Sequence, residues 1–367
     1  MNILHTEASR GWGGQEIRIL EEARGLIHRG HQISLVCPAE ARIFAEAPAY
    51  GVPTHPLPID HKNLNGFFAL RHWLKMNPVD VVNTHSSTDS WLAALASVSM
   101  ADPPPIIRTR HLSTPVHTNS PTFWLYQRAC QHVVVTGTAL KEQLIRVNGF
   151  DPATLSSVPT GIDLERFQPR ERLATRAELG LRADISYIGI VATLRDWKGH
   201  TVLFDALHRL DGEFASSRLL VVGDGPYRDR LDTKLAAFDL ANRVDFVGHR
   251  YDPERWLAAM DLFVLPSWGD EGVSQALMQA MATGLPVITT TVGSLTEVVK
   301  NGETGLLIPP RNTEALAEAI ACLLRDPSLA ARLGAAAREF ASRHCGREQM
   351  LDRMETIFSR FARHRGR

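Results

Sequence analysis

Residues 2–37, NILHTEASRGWGGQEIRILEEARGLIHRGHQISLVC, decide the fold. Asn2–Thr6 is a short apolar-rich run, followed by the loop Gly11-Trp12-Gly13-Gly14. Gln15–His28 then carries Ile17, Leu20, Ala23 and Ile27 at helical spacing, with Gly30 placed to cap it. Gln32–Cys37 is a second run, apolar on both faces, as in a parallel strand covered by helices on either side. Strand, glycine loop, helix and strand form the opening unit of a doubly wound sheet.

The same alternation continues outward. Asp80–Thr84, Ile106–Arg110 and Val133–Thr136 read as further strands of the first half. The pattern restarts with Tyr187–Ala192, Arg218–Val222, Val244–Val247, Leu262–Leu265, Val287–Thr290 and Leu306–Ile308. Helices fit His200–Leu210, Tyr227–Phe238, Val273–Thr283 and Glu314–Leu324, and one long helix follows Arg338. Pro159–Arg182 reads as the passage between two α/β domains of similar size, each with its own sheet.

Composition agrees. A chain of 367 residues with 44% apolar and 22% charged residues has material for two cores and is not a disordered chain. Lys plus Arg is 40 and Asp plus Glu is 40, so the basic excess of a nucleic-acid binder is missing. Cys37, Cys130, Cys322 and Cys345 show no CxxC pair and no metal-ligand spacing, which points to a reducing compartment. The start does not read as a signal peptide, and the apolar run around Trp91–Val98 is too short to span a bilayer. A soluble cytoplasmic protein is expected, with membrane contact only at its surface.

Three stretches could carry chemistry. Gly11–Gly14 lets backbone N–H groups at a helix start approach an anion, although a tight turn without ligand reads equally well. Arg195-Asp196-Trp197-Lys198-Gly199 puts two cations after a parallel strand, where a diphosphate would be met; a solvated loop is the bland alternative. Pro266–Val287 places Glu271 at the mouth of the sheet and Gln279 eight residues on, about 12 Å along a helix axis on the same face. Two such groups could hold two ends of an extended ligand, whereas Glu271 alone could be a helix-start acid favoured by the dipole.

The run Pro266-Ser267 through Glu271-Gly272 to Ala280-Met281-Ala282, Gly284 and Pro286-Val287 resembles the signature of retaining glycosyltransferase family 4. Gly13-Gly14-Gln15-Glu16, Thr160-Gly161-Ile162-Asp163, Lys198-Gly199, Val222-Gly223-Asp224-Gly225-Pro226 and Asn301-Gly302-Glu303-Thr304-Gly305 fit the family in order. The resemblance implies the GT-B fold: two Rossmann-like doubly wound domains facing across a cleft. The first, 1–168, would hold the acceptor and the second, 169–345, the sugar nucleotide. A last helix, about 346–367, would pack back on the first.

Residue by residue, the resemblance makes Glu271 the group beside the donor sugar and Lys198 the grip on the diphosphate. Arg195 takes the place of the usual family Arg, since Ala192-Thr193-Leu194 departs from the pattern. Gln279 stands where a Glu holds the ribose, an amide in place of a charged acceptor. Gly272, Val273 and Ser274, with the loop Gly293, Ser294, Leu295 and Thr296, would line the nucleotide together with Gly13 and Gly14. His111 matches the His beside the donor sugar, and His85 is a second candidate.

The function expected is therefore transfer of a hexose from a UDP-, GDP- or ADP-sugar to a glycan or lipid-linked acceptor, with retention and without a metal or other cofactor. Lipopolysaccharide or another envelope polysaccharide is the expected product. A sugar-nucleotide epimerase of the same architecture and a non-catalytic bilobed sugar-binding protein are the rivals; a nicotinamide dehydrogenase lacks its fingerprint here. Phe123-Trp124-Leu125-Tyr126 beside Arg128, and the tail Arg360, Arg363, Arg365 and Arg367, could touch a lipid surface. Burial of the aromatics and a solvated tail are the alternatives.

Overall fold

Strands that are apolar on both faces need helices on both sides, and that requirement sets the layers of this chain. The computed structural model describes residues 1–111, 114–210, 212–269 and 271–363. The chain forms two compact units, Met1–Gly161 with Arg347–Arg367, and Ile162–Gly346.

The first unit contains β1 (Asn2–Thr6), β2 (Gln32–Cys37), β3 (Thr54–Pro56), β4 (Val81–Thr84), β5 (Ile106–Arg110), β6 (His132–Val135) and β7 (Leu155–Ser157). They form one parallel sheet in the order β3-β2-β1-β4-β5-β6-β7. Side chains alternate between two cores: Leu4, Val36, Val82 and Val133 enter one, and Ile3, Leu35, Val81 and Val134 the other. The second unit contains β8 (Tyr187–Val191), β9 (Arg218–Val222), β10 (Val244–Gly248), β11 (Leu262–Leu265), β12 (Val287–Thr290) and β13 (Leu306–Ile308). Their order is β10-β9-β8-β11-β12-β13. In each sheet the winding reverses beside the first strand, and the carboxyl ends there are where such sheets bind ligands.

Several expectations shift. β3 and β7, three residues each, are too short to show a strand pattern in the sequence. Pro159–Arg182 holds a helix, Arg172–Glu178. The units divide at Gly161/Ile162, before Gln168, because Ile162 and Phe167 are buried in the second unit's core. The helix Gly14–His28 buries Leu20 and Ala23 as expected, but Ile19 and Leu26 lie deeper than Ile17 and Ile27, and Glu16, Arg18 and Glu22 are buried with them.

The stretch after Arg338 is not one helix. Pro327–His344 stops at Cys345-Gly346, where Ile162 N donates to Cys345 O at 2.7 Å, and Arg347–Phe361 begins a new helix. That last helix buries Met350, Leu351, Met354 and Phe358 in the first unit. Leu351 fills the space beside Gly25, so a Cβ there would collide with it. Of the basic tail, Arg363 donates to Asp102 at 2.7 Å, while Arg365 and Arg367 lie outside the described residues. Leu125 and Tyr126 are core residues, so of the aromatic stretch only Phe123 is exposed. No described helix is long and apolar enough to cross a membrane.

Candidate functional site

The second unit gathers its polar groups where β8 and β11 end. After β8 the chain makes one tight turn, Asp196–Lys198, and Gly199 (φ +78°) starts the helix His200–Arg209. A Cβ on Gly199 would strike the Pro266 carbonyl, so the two strand ends approach closely only because that residue has none. This approach brings Lys198 Nζ to 2.5 Å from Glu271 Oε1. Ser267 Oγ donates to the same oxygen at 2.8 Å, and Thr290 Oγ1 holds the Ser267 carbonyl at 2.6 Å.

The backbone of Glu271 is fixed from the other side. Ser294 N donates to the Glu271 carbonyl at 2.9 Å, and Gly293 (φ +53°) lies so close that a Cβ would collide with that carbonyl. Oε2 of Glu271 has no hydrogen bond among the described residues, so one oxygen is anchored and the other keeps its hydrogen-bonding capacity.

The remaining residues expected there divide. Arg195 is exposed, its guanidinium 5.6 Å over the Trp197 ring. Ser274 caps the helix Gln275–Ala282, so Glu271 stands in the preceding loop and does not share a helix face with Gln279. Gln279 is half-buried, and its side chain makes no hydrogen bond among the described residues. Val273 and Leu295 are buried in the core and can offer a ligand only backbone. The N–H of Ser294 is spent on Glu271 and that of Leu295 on Val292 at 3.3 Å, so neither is open to a phosphate. Thr296 is half-buried and its carbonyl accepts from Lys300. Gly272 is half-buried in the loop after Glu271.

The first unit builds a second cluster at the ends of β1, β4 and β5. His5 Nδ1 lies 2.9 Å from His85 Nε2, and His85 Nδ1 lies 2.9 Å from His111 Nε2. Burial pushes His5 down to about 3 and holds His85 and His111 well below the usual range. The three imidazoles are therefore neutral near pH 7, and each contact is one N–H facing one lone pair. Asp89 accepts from Thr6 Oγ1 (2.7 Å), His85 N (2.9 Å) and Ser86 Oγ (2.6 Å).

Beside them Glu7 is fully buried and accepts from Ser9 N at 2.7 Å and Gln15 Nε2 at 2.5 Å. Burial first, and then the charge of Asp89, push its carboxyl up to about 8. Gly13 caps the helix with its carbonyl on Ile17 N at 3.1 Å, and Gly14 begins it. Among the described residues no three His, Cys, Asp or Glu side chains gather as a metal site would require.

His85 and His111 are thus brought together, as are Lys198 and Glu271. No motif in the sequence marks His5, Glu7 or Asp89. The available signal was positional, since each lies at or just beyond the carboxyl end of β1 or β4.

A family model described as Glycosyltransferase Family 4 matches residues 12–166, and one described as Glycosyl transferases group 1 matches 185–326. A phosphatidyl-myo-inositol mannosyltransferase of Mycobacterium leprae is 28% identical over 354 residues, covering 90% of this chain and 89% of that one. A D-inositol 3-phosphate glycosyltransferase of Mycobacteroides abscessus is 36% identical over 191 residues, 50% of this chain and 42% of the relative. The chain thus spans less than half the length of the latter relative. In fold it is similar to Anabaena HepE in complex with UDP-glucose, with TM-score 0.88 and 21% identity over 98% of this chain and 100% of that one.

Proposed function

The chain belongs to glycosyltransferase family 4, and on that premise we propose that it moves a sugar from a nucleoside diphosphate to an acceptor hydroxyl with retention at the anomeric carbon. The observation that carries this reading is the Lys198–Glu271–Ser267 arrangement at the ends of β8 and β11. An ammonium and a carboxylate held this rigidly can respectively meet a leaving diphosphate and orient a sugar.

Departure of the diphosphate develops negative charge. Lys198 keeps two further N–H groups after its contact with Glu271, and Arg195 adds an exposed charge; together they stabilise that development. The free Oε2 of Glu271 takes hydroxyls of the donor sugar and faces the oxocarbenium-like carbon. The acceptor hydroxyl attacks from the face the diphosphate leaves, giving its proton to the departing phosphate oxygen. Gln279 holds the ribose through its amide, and Gly13, Gly14, Gly272 and Gly293 supply backbone.

This reading assigns no resident metal or cofactor; the UDP-, GDP- or ADP-sugar is a substrate. The first unit takes the acceptor, and His111 is its neutral group at the end of β5. The product is an envelope glycan, either lipopolysaccharide-like or built on a polyol lipid. Relatives named for phosphatidyl-myo-inositol and inositol phosphate support the polyol kind. A lipid-linked acceptor would make the enzyme a cytoplasmic protein in peripheral contact with the membrane.

The test is release of nucleoside diphosphate from a panel of UDP-, GDP-, ADP- and TDP-sugars. Slow hydrolysis of one donor, lost in Glu271→Gln, is expected. No binding of any donor in a thermal-shift screen would overturn the reading.

A further inference from the structure

At one point in the first unit positive charge is buried without an ion-pair partner among the described residues. Arg108 and Arg110 alternate along β5, so their side chains leave the same face of the sheet. Both converge on Tyr126: the Arg108 guanidinium lies 4.8 Å over its ring, and Arg110 Nη1 donates to Tyr126 Oη at 3.3 Å. Arg108 Nη1 also donates to Ser86 O at 2.9 Å and to Ser90 Oγ. Arg110 Nη2 donates to Thr114 O and, at 3.2 Å, to Thr114 Oγ1. Every one of these acceptors is neutral.

Among the described residues neither arginine has a carboxylate within ion-pair distance, and Nε of each is buried without a hydrogen-bond partner. Asp89, whose charge reaches Arg108, already spends its oxygens on Thr6, Ser86 and the His85 backbone. The contrast lies in the same unit, where fully buried Arg18 is given Glu22 at 3.6 Å.

An unpaired buried charge is expensive, and orphaned buried donors in native proteins ask for a reason. Burial first, and the like charge of Arg108 as well, hold Arg110 below its ordinary range. An arriving anion would relieve both costs. Arg110 is the half-buried member, and β5 ends at the carboxyl edge beside the β1–β4 switch point, where parallel sheets take ligands.

We infer that Arg110, backed by Arg108, binds an oxyanion substituent of the acceptor, a phosphate or a carboxylate. The planar guanidinium fork suits either group. This rests on the reading that the first unit takes the acceptor. The acceptor class so defined is an anionic sugar or polyol rather than a neutral one.

The test is titration calorimetry of the full chain with methyl phosphate and with acetate, each with and without saturating UDP. Binding of one anion to a single site is expected, and the responding arm names the group. Arg110→Gln should weaken it by about tenfold or more, the scale of a charge-assisted contact. Arg146→Gln, exposed on the helix Thr138–Asn148, should leave it unchanged. Arg110→Lys, which keeps the charge and loses the fork, is the second variant should Arg110→Gln fail to fold, and is expected to weaken binding by a smaller factor. UDP affinity should be the same in all variants, which general damage to the fold would not allow. No binding of either anion, or equal binding by Arg110→Gln, would overturn the inference. Failure of UDP, GDP, ADP and TDP alike to bind the wild type would instead remove the glycosyltransferase reading while the anion result stood.

Discussion

Lys198 Nζ and Glu271 Oε1 are 2.5 Å apart, each largely shielded from water, and a single oxygen of Glu271 takes both this ammonium and the Ser267 hydroxyl. Glu271 is therefore oriented before any ligand arrives. Lys198→Ala removes a pre-organised charge donor and also frees Glu271 to turn, so turnover should fall by about 10²–10³. Arg195→Ala should cost less, since an exposed charge is screened by solvent and salt. Steady-state kinetics on the donor that the panel identifies decides this, and near-wild-type turnover by Lys198→Ala would remove the phosphate-site assignment.

Gln279 offers an amide with no protein partner among the described residues. Gln279→Glu should tighten nucleoside diphosphate binding by about 1 kcal/mol, the increment of a charge-assisted hydrogen bond over a neutral one. Calorimetry checks it, and weaker binding would place the ribose elsewhere.

Gly293 tests how Glu271 is held. Its φ of +53° and the clash a Cβ would make with the Glu271 carbonyl leave no room for a side chain. Gly293→Ala should cost about 1–3 kcal/mol in urea unfolding, the scale of a strained backbone position. Activity should fall with it because the Glu271 carboxylate moves. A variant as stable and active as the wild type would show that the loop yields freely.

The buried ionisable groups of the first unit set a pH dependence with two opposing limbs. His5, pushed down to about 3 from 6.5, binds fewer protons folded than unfolded between those values, so its contribution to stability rises with pH up to about 6.5. Glu7, raised from 4.5 to about 8, stays protonated in the folded state, so its contribution is full below 4.5 and is lost as pH climbs through 8. Glu7→Gln should flatten the decline between pH 6.5 and 8 in urea titrations. An unchanged alkaline limb would mean that Glu7 ionises without penalty.

Much of the fold is legible in the sequence because buried parallel strands write continuous apolar runs. Gln32–Cys37 and Leu262–Leu265 are read to the residue. β3 and β7 are not, since a three-residue edge strand has no room for a pattern. The burial of Arg18 and Glu22 is equally hidden, because an i,i+4 ion pair reads as a solvated helix face, and the groups that bury it, Val158, Thr160 and Asn83, lie far away in the chain. At the site, the positions of Lys198 and Glu271 follow from motif and strand ends. The contact between them depends on Gly199 and Gly293, residues that a sequence shows only as loop glycines. The chain of three histidines draws on β1, β4 and β5 at once, and no local pattern reveals it.

The helix Arg347–Phe361 belongs to the first unit although the whole second unit precedes it in the chain. Ile162–Gly346 is continuous, so it can fold as soon as it is synthesised. Met1–Gly161 emerges earlier yet must wait, with the pocket for Met350, Leu351, Met354 and Phe358 still uncovered. Vectorial synthesis would ordinarily favour the amino-terminal part finishing first. Here the order is reversed: the earlier of the two units is sealed after the later one, and the apolar side of Gly14–His28 is open to chaperones and to misassociation until Arg347–Phe361 leaves the ribosome.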